Sequence, residues 1–219
     1  MLSQSVKAKQ FTAIIGFLVG CFALLLQLYL IIQDRTVGVT ETLIRYFSFF
    51  TISSNILATI CFYYIMGNPG PDAKPFFARA KTIAAITVYM FIVGLVYNVV
   101  LRSQYPAMEG KAMIANELLH VIMPLLIIIY WLVFAEKNIL EWKNIFTWLI
   151  YPLVYCIYTL IRGAIVHFYP YPFMNVDFWG LSTVLLHCLY VCIAFFVVSI
   201  LLVAIAKVLT KIKMENLTT

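Results

Sequence analysis

Two residue types that can act together on an ester lie inside apolar stretches of this chain: Thr51, in FFTISSNIL, and His120, in ANELLHVIMP. A hydroxyl is a poor nucleophile until a base takes its proton, and an imidazole within about 3 Å supplies that base. Asn55, Asn98, Asn116, Arg162 and His187 lie in the same kind of surroundings. Polar and ionisable groups in hydrocarbon are costly, so they usually face a bundle interior and serve a function. Asn55, Asn98 or a serine hydroxyl suits a developing oxyanion. Asn116 stands one helical turn before His120 on the same face. Arg162, in TLIRG, offers a fixed fork for a carboxylate or phosphate if it turns inward, and otherwise snorkels to the interface. His187, in LLHCLY, serves either the site or a hydrogen bond between helices.

Each of these has a plainer explanation. Ser and Thr in membrane helices often bond their own i−4 carbonyl or glue helices together. Thr51, Ser53, Ser54 and Asn55 are four polar residues in five positions, which covers more than one helix face. Glu117, three residues before His120, orients the imidazole or points at headgroups. The ExxH pattern is half of a di-metal helix motif, but a second carboxylate–histidine helix is missing, so no metal and no cofactor is expected. Pro124 follows His120 and is placed to kink the helix there. His167 and Asp177 belong to the fifth loop and read as solvated. No GxSxG nucleophile elbow occurs.

The elements that must position these groups follow from composition. Of the 219 residues 64% are hydrophobic and only 11% charged, against roughly 25% charged in soluble domains. The solvent for most of this chain is lipid, so its net charge of +6 does not point to nucleic acid. Apolar stretches run over about 11–32, 42–66, 80–101, 113–134, 145–166 and 180–207. Each reaches the ~20 residues a helix needs to cross ~30 Å of hydrocarbon. The ~10-residue alternating segments of a membrane β-barrel are absent. The first stretch is too long for the apolar core of a signal peptide and reads as a retained helix. The five cysteines, Cys21, Cys61, Cys156, Cys188 and Cys192, all fall within spans and read as small packing residues.

The expected architecture is therefore all-α: a polytopic membrane protein, a single domain over 1–219, built as a six-transmembrane-helix bundle. Ten basic residues (Lys7, Lys9, Lys74, Arg79, Lys81, Lys137, Lys143, Lys207, Lys211 and Lys213) fall at the N-terminus, loops two and four and the C-terminal tail. The positive-inside rule then puts both termini in the cytoplasm. Thr51, Asn98, His120, Arg162 and His187 come to similar depths, roughly 5–13 Å from the opposite face at 1.5 Å per residue. A polar pocket opening toward the outer leaflet is the simplest arrangement. The second loop contains GNPGPDAKP, a turn-rich breaker. No internal repeat points to a transporter.

FFTISSN with Thr51, ANELLH with His120 and Tyr171-Pro172-Phe173 after the fifth span, in that order, resemble the androgen-induced (ADTRP-like) integral membrane family. The YPYPF run is more similar to bacterial members. The resemblance implies a threonine hydrolase that cleaves esters between a fatty acid and a hydroxy fatty acid, with Thr51 as nucleophile and His120 as base. It further implies membrane lipids and a lipid ester as partners and a bacterial plasma membrane as location. Animal members carry an acidic residue one turn after the threonine, where this chain has Ser54 or Asn55, and their spacing from the histidine to the following proline is one residue longer than His120 to Pro124. Two other readings remain open on the residues alone: a lipid- or small-molecule-binding protein or transporter that uses the same pocket without turnover, and a metal or haem protein using His120 and His187.

Overall fold

The computed structural model describes residues 2–67, 70, 74–104 and 108–218. Every regular element among them is helical. Among the described residues five helices are long and apolar enough to cross a membrane: Val6–Gln33, Ala80–Gln104, Gly110–Phe134, Asn144–Val166 and Leu181–Asn216. Two further pieces, Val39–Phe47 and Phe50–Met66, are bent by 70° at the break between them and make six if they count as one span. Large apolar side chains such as Leu18, Leu25 and Ile165 stay exposed on the outside of the bundle. That is consistent with an integral membrane protein, because apolar surface costs nothing in lipid. Residues 68, 69 and 71–73 of the expected GNPGPDAKP turn lie outside the described residues.

The elements are α1 (Leu2–Gln33), α2 (Val39–Phe47), α3 (Phe50–Met66), α4 (Ala80–Val96), α5 (Gly110–Glu117), α6 (Met123–Phe134), α7 (Asn144–Trp148), α8 (Ile150–Val166), α9 (Val176–Trp179) and α10 (Leu181–Thr218). Wide π-helical turns extend α4 over Tyr97–Leu101 and join α5 to α6 over Leu118–Ile122. The expected first and last spans, 11–32 and 180–207, are the apolar parts of longer helices. The 42–66 stretch is where the structure departs from expectation, because α2 and α3 are separate helices.

The break falls at Ser48-Phe49. Ser48 keeps a helical backbone, but Phe49 is extended, at φ −78° and ψ 129°. A break inside hydrocarbon frees backbone groups that water cannot reach, and other parts of the protein must satisfy them. Tyrosines do so here. The Tyr155 hydroxyl donates to the Ser48 carbonyl at 2.9 Å. The Thr51 N–H, one of the donors at the start of α3 that lacks an intrahelical partner, donates to the Tyr171 hydroxyl oxygen at 3.1 Å. Tyr158 pairs with the Ser48 hydroxyl at 2.8 Å, and Tyr151 donates to the Ser53 hydroxyl at 2.7 Å. Tyr151, Tyr155 and Tyr158 all come from α8, so this helix is fastened across the break.

On the other side of α3 lies α1. Gly16 and Gly20, one turn apart, face it: a Cβ on Gly16 would run into the Phe62 ring, and one on Gly20 would strike Thr59 and Met123. Small residues at such crossings let helix backbones approach closely in membranes. Gly16→Leu or Gly20→Leu should therefore destabilise the bundle by about 1–3 kcal/mol, the usual penalty for overpacking. The check is thermal unfolding in detergent, where Gly38→Leu, at a position with open space around it, serves as the unaffected control.

Candidate functional site

Thr51 is the second residue of α3, and His120 lies in the π turn between α5 and α6. Their side chains meet across the bundle, with Thr51 Oγ1 at 3.4 Å from His120 Nε2. His120 Nδ1 is 3.0 Å from the Asn116 carbonyl oxygen. A carbonyl only accepts, so Nδ1 carries the ring proton and the neutral imidazole turns the lone pair of Nε2 to Thr51. Tyr171 completes the line, its hydroxyl 3.3 Å from Thr51 Oγ1. Protons are then consistently assigned: Tyr171 O–H donates to Thr51, Thr51 O–H to His120, and His120 Nδ1–H to Asn116.

The π turn has a local cause. Pro124 has no N–H, and its ring crowds the carbonyl four residues earlier, that of His120. The helix widens there, and Met123 N–H closes back on the Leu118 carbonyl. The Leu119 and His120 carbonyls are met by side chains instead. Asn55 Nδ2 donates to Leu119 O at 3.2 Å and also to Thr51 O at 2.8 Å. Asn98 Nδ2 donates to His120 O at 3.4 Å and to Gly94 O at 2.8 Å. Gly94 also backs the turn closely, since a Cβ there would come within 3.3 Å of His120 O. Tyr97 stacks flat on the imidazole, with ring centroids 4.1 Å apart. Asn116 Nδ2 donates to the Tyr97 hydroxyl at 2.5 Å.

Several expected roles change in consequence. Asn55 and Asn98 spend both amide protons on backbone carbonyls and have none left for an oxyanion. Asn116 acts through its backbone carbonyl on His120, while its side chain fixes Tyr97. Glu117 pairs with Arg102 and does not orient the imidazole. Arg162 neither snorkels freely nor faces the cavity. Its Nη2 is 2.7 Å from Glu41 Oε1, which also accepts from Arg45 Nε at 2.8 Å, and its buried Nη1 has no hydrogen-bond partner among the described residues. His187 Nδ1 donates to the Phe173 carbonyl at 2.8 Å, which pins the fifth loop to α10. Within that loop His167 and Asp177 are exposed and pair with each other at 2.9 Å. Tyr171 and Met174 turn inward and are buried.

Thr51 and His120 open onto a cavity of about 540 Å³, also lined by Tyr97, Tyr155 and Tyr171. That size falls within the ~300–1,000 Å³ of small-molecule sites. The rest of its wall is almost entirely apolar. Leu153 and Ile157 of α8 and Leu185 and Leu189 of α10 line it and are exposed. The cavity is therefore open to the outside along α8 and α10. Asn98, Arg162 and His187 are not among its lining residues. Tyr97, whose part in the site the sequence reading missed, has one signal in the sequence: it is an aromatic residue in the YN pair beside Asn98.

No protein-family model, curated protein or solved structure matches the chain.

The tyrosine network yields a stability test. Tyr155→Phe removes the hydroxyl that donates to the buried Ser48 carbonyl at the break and should destabilise the protein by about 1–3 kcal/mol, the cost of an orphaned buried acceptor. Thermal unfolding in detergent measures it. Tyr190→Phe, on the exposed face of α10, should leave the midpoint unchanged.

Proposed function

We propose that the protein is an intramembrane lipid hydrolase that cleaves carboxylic esters of fatty acids or hydroxy fatty acids. The observation that carries this is the contact of Thr51 Oγ1 with a His120 nitrogen whose lone pair faces it. His120 takes the Thr51 proton as the hydroxyl attacks the ester carbonyl. The leaving alcohol takes that proton back, and water, activated by the same histidine, releases the acid from the acyl-threonine. A separation of 3.4 Å is longer than a working hydrogen bond, but such contacts tighten when substrate binds. Before substrate arrives the Thr51 N–H bonds the Tyr171 hydroxyl, and that hydroxyl bonds Thr51 Oγ1. These two are the donors nearest to the attacking oxygen and would turn to the oxyanion. The positive end of α3 adds to them. The apolar cavity suits acyl chains, and its lateral opening lets them arrive from the bilayer.

In this reading the bent pair α2–α3 counts as one span, both termini are cytoplasmic and the site lies nearer the outer leaflet. The resemblance to the androgen-induced family, with a bacterial plasma membrane as location, supports the same roles for Thr51 and His120.

Purified protein in detergent, given an ester of a hydroxy fatty acid, should release fatty acid. Thr51→Ala should abolish release. His120→Ala should lower it about 10²–10⁴-fold, the usual contribution of a general base. Tyr171→Phe should lower kcat more than it raises KM. Specific binding of acyl lipids without turnover, by a folded wild type and across several acyl esters, would instead favour a lipid-binding or transport role.

A further inference from the structure

Three of the five cysteines line the cavity: Cys156 on α8, and Cys188 and Cys192 on α10. The ester reaction described above uses none of them. Cys156 and Cys188 come from different helices, yet their sulfurs lie 3.5 Å apart. Cys192 is one turn further along α10 and is exposed. We propose that Cys156 and Cys188 form an oxidation site that an organic hydroperoxide arriving from the membrane converts to a disulfide, stapling α8 to α10 beside the cavity's lateral opening.

Position sets the chemistry. Cys156 sits near the middle of α8 and Cys188 two turns into α10, both in the apolar wall of the cavity, so water-soluble oxidants reach them poorly. A hydroperoxide carried on an acyl chain has the same access as any other lipid. One sulfur, as thiolate, attacks the terminal oxygen of the hydroperoxide. The S–O bond forms as the O–O bond breaks, and the alkoxide leaves and takes up the proton that the first thiol released, becoming an alcohol. The attacking sulfur is now a sulfenic acid. The second sulfur then attacks the first. The S–S bond forms, the S–O bond breaks, and the departing hydroxide leaves as water with the second thiol's proton. Two thiols lose two electrons in all, and one hydroperoxide gains them, giving one alcohol and one water.

Little movement is required. An S–S bond is about 2.0 Å long, so the sulfurs must approach by roughly 1.5 Å. Both cysteines are only partly buried, at the edge of the core beside the cavity. Exposed Ile157 and Leu189, each one residue from a reacting cysteine, face lipid.

The test does not depend on ester hydrolysis. Wild-type protein in detergent is treated with cumene hydroperoxide, its remaining thiols are capped with N-ethylmaleimide, and the digest is read by mass spectrometry. The expected product is a peptide pair joined through Cys156 and Cys188, with one cumyl alcohol formed per link, and dithiothreitol should abolish the link. In Cys156→Ser the hydroperoxide should leave Cys188 as a sulfenic acid that dimedone traps. Recovery of Cys156 and Cys188 as maleimide adducts after oxidation would overturn the proposal, as would a link from Cys188 to Cys192.

Discussion

A helix broken inside hydrocarbon must have its freed backbone groups satisfied by protein, and the interruption of the second span at Ser48-Phe49 imposes that demand on everything around it. An unbroken helix over 39–66 would use the Thr51 N–H internally and would hold no opening toward Tyr171. With the break, α3 begins next to Thr51, its first N–H groups have no intrahelical acceptor, and α8 must supply hydroxyls to the Ser48 side. Tyr155 and Tyr171 are thus structural closures first. Their hydroxyls stand at Ser48 and Thr51 because that is where the backbone is open. The same constraint explains why the site is polar in a bundle whose cavity wall is otherwise apolar.

A second, smaller interruption presents the partner residue. Pro124 removes a donor from the fourth span, the helix widens into a π turn, and His120 sits within it. Such turns are frequent at functional sites. Two asparagines from neighbouring helices, Asn55 and Asn98, close the carbonyls left open. The wider turn and the flat stacking of Tyr97 fix the ring plane, while the Asn116 carbonyl fixes which nitrogen carries hydrogen. Thr51 and His120 therefore meet through two defects in helices, each repaired by polar side chains from elsewhere in the bundle.

Span positions were legible in the sequence because lipid demands long apolar runs, and a run such as 145–166 translates directly into α7 and α8. A local disturbance at Pro124 was legible too, since proline acts locally, and it takes the form of a widened turn. The break at Ser48-Phe49 was not, because neither residue is a helix breaker and the tyrosines that stabilise the break lie more than 100 residues away. Asparagine roles failed for a related reason. A buried amide in a sequence looks like a free donor, and only the three-dimensional partners show that a widened turn has already claimed it. Arg162 shows the same limit: Glu41, its partner, lies 121 residues away. Gly16 and Gly20 carried a readable signal, small residues four apart, which the polar residues overshadowed.

In the proposed reaction Thr51 is the nucleophile and His120 its base. Site mapping with a lipid-like fluorophosphonate, read by mass spectrometry of the intact protein and its peptides, tests this most directly. The adduct should sit on Thr51 in the wild type and form far more slowly in His120→Ala. An adduct on another residue, or a Thr51 that stays unmodified while the folded protein hydrolyses ester, would contradict it.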